Sequence, residues 1–234
     1  MATTSTTQSK GQRLWRGWIR PLAIMLLALG SLRSAVADWN DVPSGSMKPT
    51  ILVGDRIFVN KLAYDLKIPF TTWRVTRWSA PQRGDVVVFF SPEDGQRLVK
   101  RVIGVPGDRI EMRANRLLVN GDPARYHAAT GLAGDEMDMY ESMRFQITSE
   151  SVGEMTHPVM TTLGVSARGR FEPLVVPAGS YFMMGDNRDN SRDSRVFGFV
   201  DGDRIIGKAT AVVLSFDHDA YYLPRWGRFF TSMR

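Results

Sequence analysis

Hydrophobic and polar positions divide this chain into one apolar stretch near the N-terminus and a long series of short apolar runs behind it. Residues 1–12 are polar and rich in Ser and Thr, which predicts disorder. Residues 21–32 are an uncharged run of 12, whereas a membrane span needs about 20. Extending it over residues 18–37 gives 20 positions, with Arg20 and Arg33 snorkelling to opposite interfaces. Trp15, Trp18 and Trp39 then fall where interfacial aromatics collect. Beyond residue 50 the runs are rich in Val, Ile, Phe and Leu and are bounded by Gly, Pro, Asp and Asn. That pattern predicts strands at 56–60, 85–90, 97–104, 109–119, 143–148, 180–184 and 207–216. The 109–119 segment reads as a hairpin turning at Ala114-Asn115. Residues 121–172 are more polar and poorly periodic, and predict a less regular inserted subdomain.

The predicted organisation is a basic N-terminus (1–17), a membrane anchor (18–38), a mostly β catalytic domain in two parts (39–120 and 173–234) and the insertion (121–172). Lys10, Arg13, Arg16 and Arg20 precede the apolar stretch, and Asp38 and Asp41 follow it. The positive-inside rule then puts the N-terminus in the cytoplasm and the rest outside. The same stretch also reads as a cleavable secretory signal, because Ala35-Val36-Ala37 before Asp38 is a small-x-small site. The residues alone leave both readings open.

Charge and composition narrow the chemistry. Net charge is +6, but the basic residues are spread out and no nucleic-acid-binding motif is present, so a nucleic-acid partner is not expected. A basic chain beside anionic lipid is the simpler reading. Without cysteine there is no disulfide, thiol nucleophile or thiolate metal site.

Three segments carry candidate chemistry. In Asp41-Val42-Pro43-Ser44-Gly45-Ser46-Met47-Lys48-Pro49-Thr50-Ile51-Leu52, two serines flank a glycine. A turn there can expose a hydroxyl beside backbone N–H groups, a nucleophile next to oxyanion donors. In Lys100-Arg101-Val102-Ile103-Gly104-Val105-Pro106-Gly107-Asp108, strand alternation puts Lys100 on one face with Leu98 and Val102. Desolvation on that face lowers an amine's pKa and raises its basic fraction. The third is Gly185-Asp186-Asn187-Arg188-Asp189-Asn190-Ser191-Arg192-Asp193-Ser194-Arg195. Asp189, Ser191 and Asp193 have a metal-loop spacing, but Ser194 and Val200 stand where an EF-hand needs Gly and Glu, so no metal is expected. His127, His157 and His218 lie outside all three segments, which argues against a Ser-His-Asp triad.

In this order, and with Gly54-Asp55, Arg83-Gly84-Asp85-Val86-Val87-Val88-Phe89 and Gly198-Phe199-Val200, these segments resemble the type I signal peptidases, membrane-bound proteases with a serine–lysine dyad. The resemblance spans roughly residues 39 to 216. It implies Ser46 as nucleophile, Lys100 as general base and Ser44 as oxyanion donor. It further implies that Ser191 orients the lysine, that Asp193 and Arg195 support the site, and that Asp186 pairs with Arg101. Val42, Pro43, Met47 and Val99 would line shallow pockets for small side chains. No cofactor is implied; the partners are signal-peptide-bearing preproteins and the lipid bilayer. An uncleaved single-pass anchor in a bacterial inner membrane follows, with the catalytic domain on the outer face. Asn40 and Asp41 depart from the family by their polarity, and one span stands where some relatives have two. A peptidase specialised for pilin or conjugation precursors and a non-catalytic membrane adaptor are the rival readings. A self-cleaving repressor is excluded because the basic, apolar N-terminus is no DNA-binding domain. Natural substrates and oligomeric state are not legible in the sequence.

Overall fold

The computed structural model describes residues 15–71, 73–129, 143–165, 170–218 and 220–233. Residues 1–12, expected to be disordered, lie outside them, as does part of the insertion.

The chain opens with a helix, α1 (Trp15–Ala35), of 21 residues and mean hydropathy 1.2, long and apolar enough to cross a membrane. Trp18, Leu22, Leu26 and Leu27 on it are all exposed. The helix ends at Ala35, three residues before the end of the expected anchor at 38, because Ala37 already belongs to the first strand, β1 (Ala37–Asp41). Its last carbonyls are satisfied from the folded domain. Lys61 Nζ donates to the carbonyls of Arg33 and Ser34, each at 3.1 Å, a cation where the helix dipole is negative. The Phe70 amide donates to Ser34 Oγ at 2.7 Å.

After β1 come β2 (Asp55–Asn60), β3 (Asp65–Lys67), β4 (Arg74–Arg77), β5 (Val86–Phe90) and β6 (Arg97–Gly104). The hairpin β7 (Arg109–Arg113) and β8 (Arg116–Val119) follows, then β9 (Asp122–Pro123), β10 (Arg125–Ala128), β11 (Phe145–Val152) and β12 (Met155–Thr162). The chain returns through β13 (Phe171–Val175), β14 (Ser180–Met184), the short helix α2 (Ser194–Phe197), β15 (Val200–Asp201) and β16 (Ile205–Asp217). Two short strands close it, β17 (Leu223–Pro224) and β18 (Thr231–Ser232).

The principal sheet runs β1-β2-β16-β5-β6-β14-β15, with β17 and β18 also on β16. The protein is mostly β, as expected. The continuous run Val86–Phe90 has a physical reason: both faces of β5 are covered. Val86 and Val88 pack with Met47, Ile51 and Ile57, while Val87 and Phe89 pack with Val102, Tyr181 and Met183. The hairpin turns at Ala114 and Asn115, whose φ values of 49° and 61° match the left-handed positions that a two-residue turn demands. Asn40 and Asp41 are polar because β1 pairs only with β2 at the sheet edge; Asp41 there meets Arg56 at 2.6 Å.

Residues 121–172 are more regular than their sequence implies. Within the described part, β10, β11 and β12 make an antiparallel three-stranded sheet. Its register aligns Tyr126 with Glu150 and Glu150 with His157.

Candidate active site

The Ser44–Met47 segment leaves the sheet after β1 and turns through one short helical turn, Gly45–Met47. Met47 anchors it, being only 1% exposed and packed with Val42, Ile51 and Ile57. This leaves Ser44 exposed and Ser46 half-buried beside β6.

Lys100 sits opposite Val87 in the β5–β6 register and is 3% exposed. Its Nζ donates to Ser46 Oγ at 2.6 Å. Ser44 Oγ lies 3.3 Å from the same oxygen. Burial lowers the Lys100 amine from 10.5 to about 8, and Arg195 adds to the shift, while Asp193 and Asp186 oppose it. At that value about a tenth of the amine is neutral at pH 7, against roughly one part in 3,000 for an ordinary lysine. With the amine neutral, the short contact reverses and the serine hydroxyl donates.

The Gly185–Arg195 loop encloses this pair. A Cβ on Gly185 would fall 2.4 Å from the Ser46 carbonyl oxygen and 2.3 Å from Ser191 Oγ; only glycine fits. The Asn187 amide donates to the Ser46 carbonyl and its side-chain amide donates to the Gly45 carbonyl, both at 3.1 Å. Asp193 accepts from Arg195 Nε and Nη2 at 2.8 and 2.7 Å and from the Gly185 amide at 3.0 Å. Burial pushes its carboxyl up, but Arg195, with help from Gly185 and Ser191, holds it below the usual range. Asp186 accepts from Arg101 Nε and Nη2 at 2.9 and 2.7 Å, both side chains being buried. Thr50 also donates to Asp186.

The structure therefore gathers Ser44, Ser46, Lys100, Arg101, Asp186, Ser191, Asp193 and Arg195 around one loop. The expected pocket residues divide. Val42 and Met47 are buried core, Pro43 is exposed, and Val99 is half-buried against the same cluster. Ser191 is buried beside Gly185 and supports the Asp193 carboxylate.

Sequence reasoning missed Asn187, which lay inside a segment already singled out. It also missed Glu150, His157 and Arg188. Glu150 and Arg188 form a buried bidentate pair with both bonds at 2.6 Å. Glu150 and His157 stand seven positions apart on different strands, so register alone brings them together. Among the described residues, no cluster of His, Cys, Asp and Glu is able to hold a metal ion.

A family model described as "Signal peptidase, peptidase S26" matches residues 15–214. A signal peptidase I of Pseudomonas aeruginosa is 40% identical over 213 residues, covering 84% of this chain and 72% of that protein. One from Buchnera aphidicola subsp. Schizaphis graminum is 33% identical over 220 residues, covering 80% and 70%. A crystal structure of a signal peptidase I from Enterococcus faecalis V583 is 32% identical and covers 56% of this chain and 98% of that one. Its TM-score of 0.34 is too low for the two folds to be compared element by element.

Proposed function

The chain belongs to the peptidase S26 family of signal peptidases, and on that premise we propose that Ser46 and Lys100 are its catalytic dyad. It is a serine endopeptidase that removes signal peptides from preproteins. The observation that carries the dyad is the 2.6 Å contact between a serine hydroxyl and a desolvated amine.

Ser46 Oγ attacks the scissile carbonyl carbon while neutral Lys100 Nζ takes the hydroxyl proton. The carbonyl oxygen becomes an oxyanion and accepts hydrogen bonds from the Ser44 hydroxyl and the Ser46 amide. As the tetrahedral adduct collapses, the C–N bond breaks and the Lys100 ammonium protonates the departing amine. Neutral again, Lys100 takes a proton from water, whose oxygen attacks the ester carbon; the C–O bond to Ser46 breaks, and the Lys100 ammonium returns the proton to Ser46 Oγ. Asp193–Arg195 and Asp186–Arg101 hold the loop around the dyad, and Ser191 orients it. Of the four residues expected to line the pockets, Pro43 and Val99 remain to favour small residues before the cut, because Val42 and Met47 are buried core.

The α1 helix anchors the enzyme in the bacterial inner membrane. The cations before it and Asp38 and Asp41 after it favour a cytoplasmic N-terminus and an outward-facing catalytic domain. Purified full-length protein in detergent should cleave a preprotein, and Ser46→Ala should not. Protease added outside spheroplasts should digest the domain after residue 50. A freely soluble mature chain beginning at Asp38 would remove the anchor and make Ala35-Val36-Ala37 a cleavage site.

A further inference from the structure

Three polar side chains outside this mechanism, Tyr126 half-buried and the other two buried, stand in one cross-strand row. Tyr126 on β10 is paired with Glu150 on β11, and Glu150 with His157 on β12. Tyr126 Oη donates to Glu150 Oε2 at 2.6 Å. Arg188, from the active-site loop, donates to both Glu150 oxygens. His157 Nε2 faces two carboxylates, Glu150 Oε1 at 3.5 Å and Asp186 Oδ1 at 3.8 Å. Arg188 Nη2, which can only donate, also lies 3.5 Å from this nitrogen, so the neutral ring accepts there. Glu150, His157 and Arg188 are 0%, 2% and 4% exposed.

The loop also joins this sheet through its backbone. Met160 of β12 bridges Asn187 in parallel. The Met160 amide donates to the Asp186 carbonyl, and the Arg188 amide to the Met160 carbonyl, both at 2.8 Å. Asn187, between those two residues, carries the bonds to Gly45 and Ser46. One short path therefore runs from the polar row to the nucleophile's own backbone. A displacement near 1 Å at a reacting group costs about 10²-fold in rate, so whatever sets this loop sets the Ser46–Lys100 contact.

We propose that Glu150 and His157 are positioning residues for the nucleophile. They act by locking Asp186 and Arg188, and through Asn187 the Gly45–Ser46 turn. Glu150 neutralises Arg188, which would otherwise be a buried cation free to take Asp186 from Arg101. His157, beside the two carboxylates, accepts from Arg188 without adding a charge. The three-stranded sheet is then part of the catalytic apparatus and not a decoration on it. This inference rests on the Ser46–Lys100 reading.

The test is preprotein cleavage by the full chain in detergent, with kcat and KM measured separately and folding followed by thermal melting. His157→Gln keeps a neutral side chain that can accept from Arg188 and should stay within about threefold of wild-type kcat. His157→Phe fills the site but cannot hydrogen-bond with Arg188, and should lose at least about tenfold in kcat with KM within about twofold. Plain core packing predicts the reverse order, because the apolar ring suits a dry site better than an amide. Glu150→Gln should resemble His157→Phe, and its failure to fold would leave the histidine pair decisive. If His157→Phe itself does not fold, His157→Asn against His157→Leu repeats the contrast at smaller volume. Equal kcat for the amide and apolar variants overturns the proposal. Cleavage by Ser46→Ala would instead remove the dyad, whereas an inert Ser46→Ala beside a fully active His157→Phe removes only the positioning role.

Discussion

The two sides of the Gly185–Arg195 loop treat buried charge in opposite ways. On the sheet side every ion has a counter-ion: Arg188 has Glu150 at 2.6 Å and Arg101 has Asp186 at 2.7 Å. Arg188 is held further toward its charged form, and Glu150 is held below the usual carboxylate range despite its burial. On the nucleophile side Lys100 is equally buried, yet its short contact is a hydroxyl, and its amine is pushed down to about 8. Pairing fixes geometry, and the missing pair makes a base. The loop uses the rigid, paired side to hold the unpaired side in place.

The largest test of this contrast replaces the base with a permanent cation. Lys100→Arg keeps the charge but cannot accept a proton at working pH. Preprotein cleavage should fall by roughly 10³ or more, while Lys48→Arg and Lys61→Arg stay active. In the unmodified enzyme kcat/KM should rise with pH and level off above about 8 as Lys100 loses its proton. A well-folded, active Lys100→Arg, or a pH profile with no such limb, moves the base elsewhere.

Ser44→Ala removes a donor and leaves the charges alone. Losing one oxyanion donor costs about 2.7–4 kcal/mol, roughly 10²–10³ in rate. The protein should fold normally, and Ser44→Thr should keep part of the activity. Wild-type rates from Ser44→Ala would reduce that hydroxyl to a feature of the turn.

Stability should separate the two sides as well. The folded-state pKa of Lys100 is depressed, so the ammonium opposes folding. That penalty is fully present below about pH 8 and is relieved as pH rises toward 10.5. Lys100→Met, inactive as an enzyme, should therefore unfold with about 3 kcal/mol more stability at pH 7 in a denaturant titration. No gain would mean that the amine is not desolvated.

The smallest effect belongs to the paired side. Burial, with Arg101 next, lowers His157 from 6.5 to about 4, against the pull of Asp186 and Glu150; Arg188 lowers it a little further. The unfolded chain then binds a proton below pH 6.5 that the native state refuses until about pH 4. Stability is lost across that window, about 2 kcal/mol by pH 5, and His157→Gln should flatten it. An unchanged slope in the variant would assign the acid sensitivity to the carboxylates.

Several of these features are legible without coordinates. The serines around Gly45, the apolar neighbours of Lys100 and the Ala114-Asn115 turn are local patterns, and local sterics or desolvation suffice to read them. The same holds for α1, whose length and apolarity are written in consecutive residues. Of the sheet β10–β12 only the start of β11 was legible, as the strand expected at 143–148; β10, the rest of β11 and β12 were not. Thr148, Glu150, Thr156 and His157 offer no hydrophobic period, since buried ion pairs and hydrogen bonds cover the faces that apolar residues usually mark.

By itself, then, the sequence determined the chemical vocabulary: a hydroxyl on a sharp turn, an amine on an apolar strand face, and arginines and carboxylates in one glycine-bounded loop. Only the tertiary structure decided who meets whom. Ser46 and Lys100 are 54 positions apart, and Arg188 and Glu150 are 38 apart. The row Tyr126–Glu150–His157 exists only in one strand register. A one-residue slip would turn its side chains to the opposite face. Such contacts leave no local trace because their energy depends on desolvation by distant parts of the chain, and that burial is a property of the folded molecule alone.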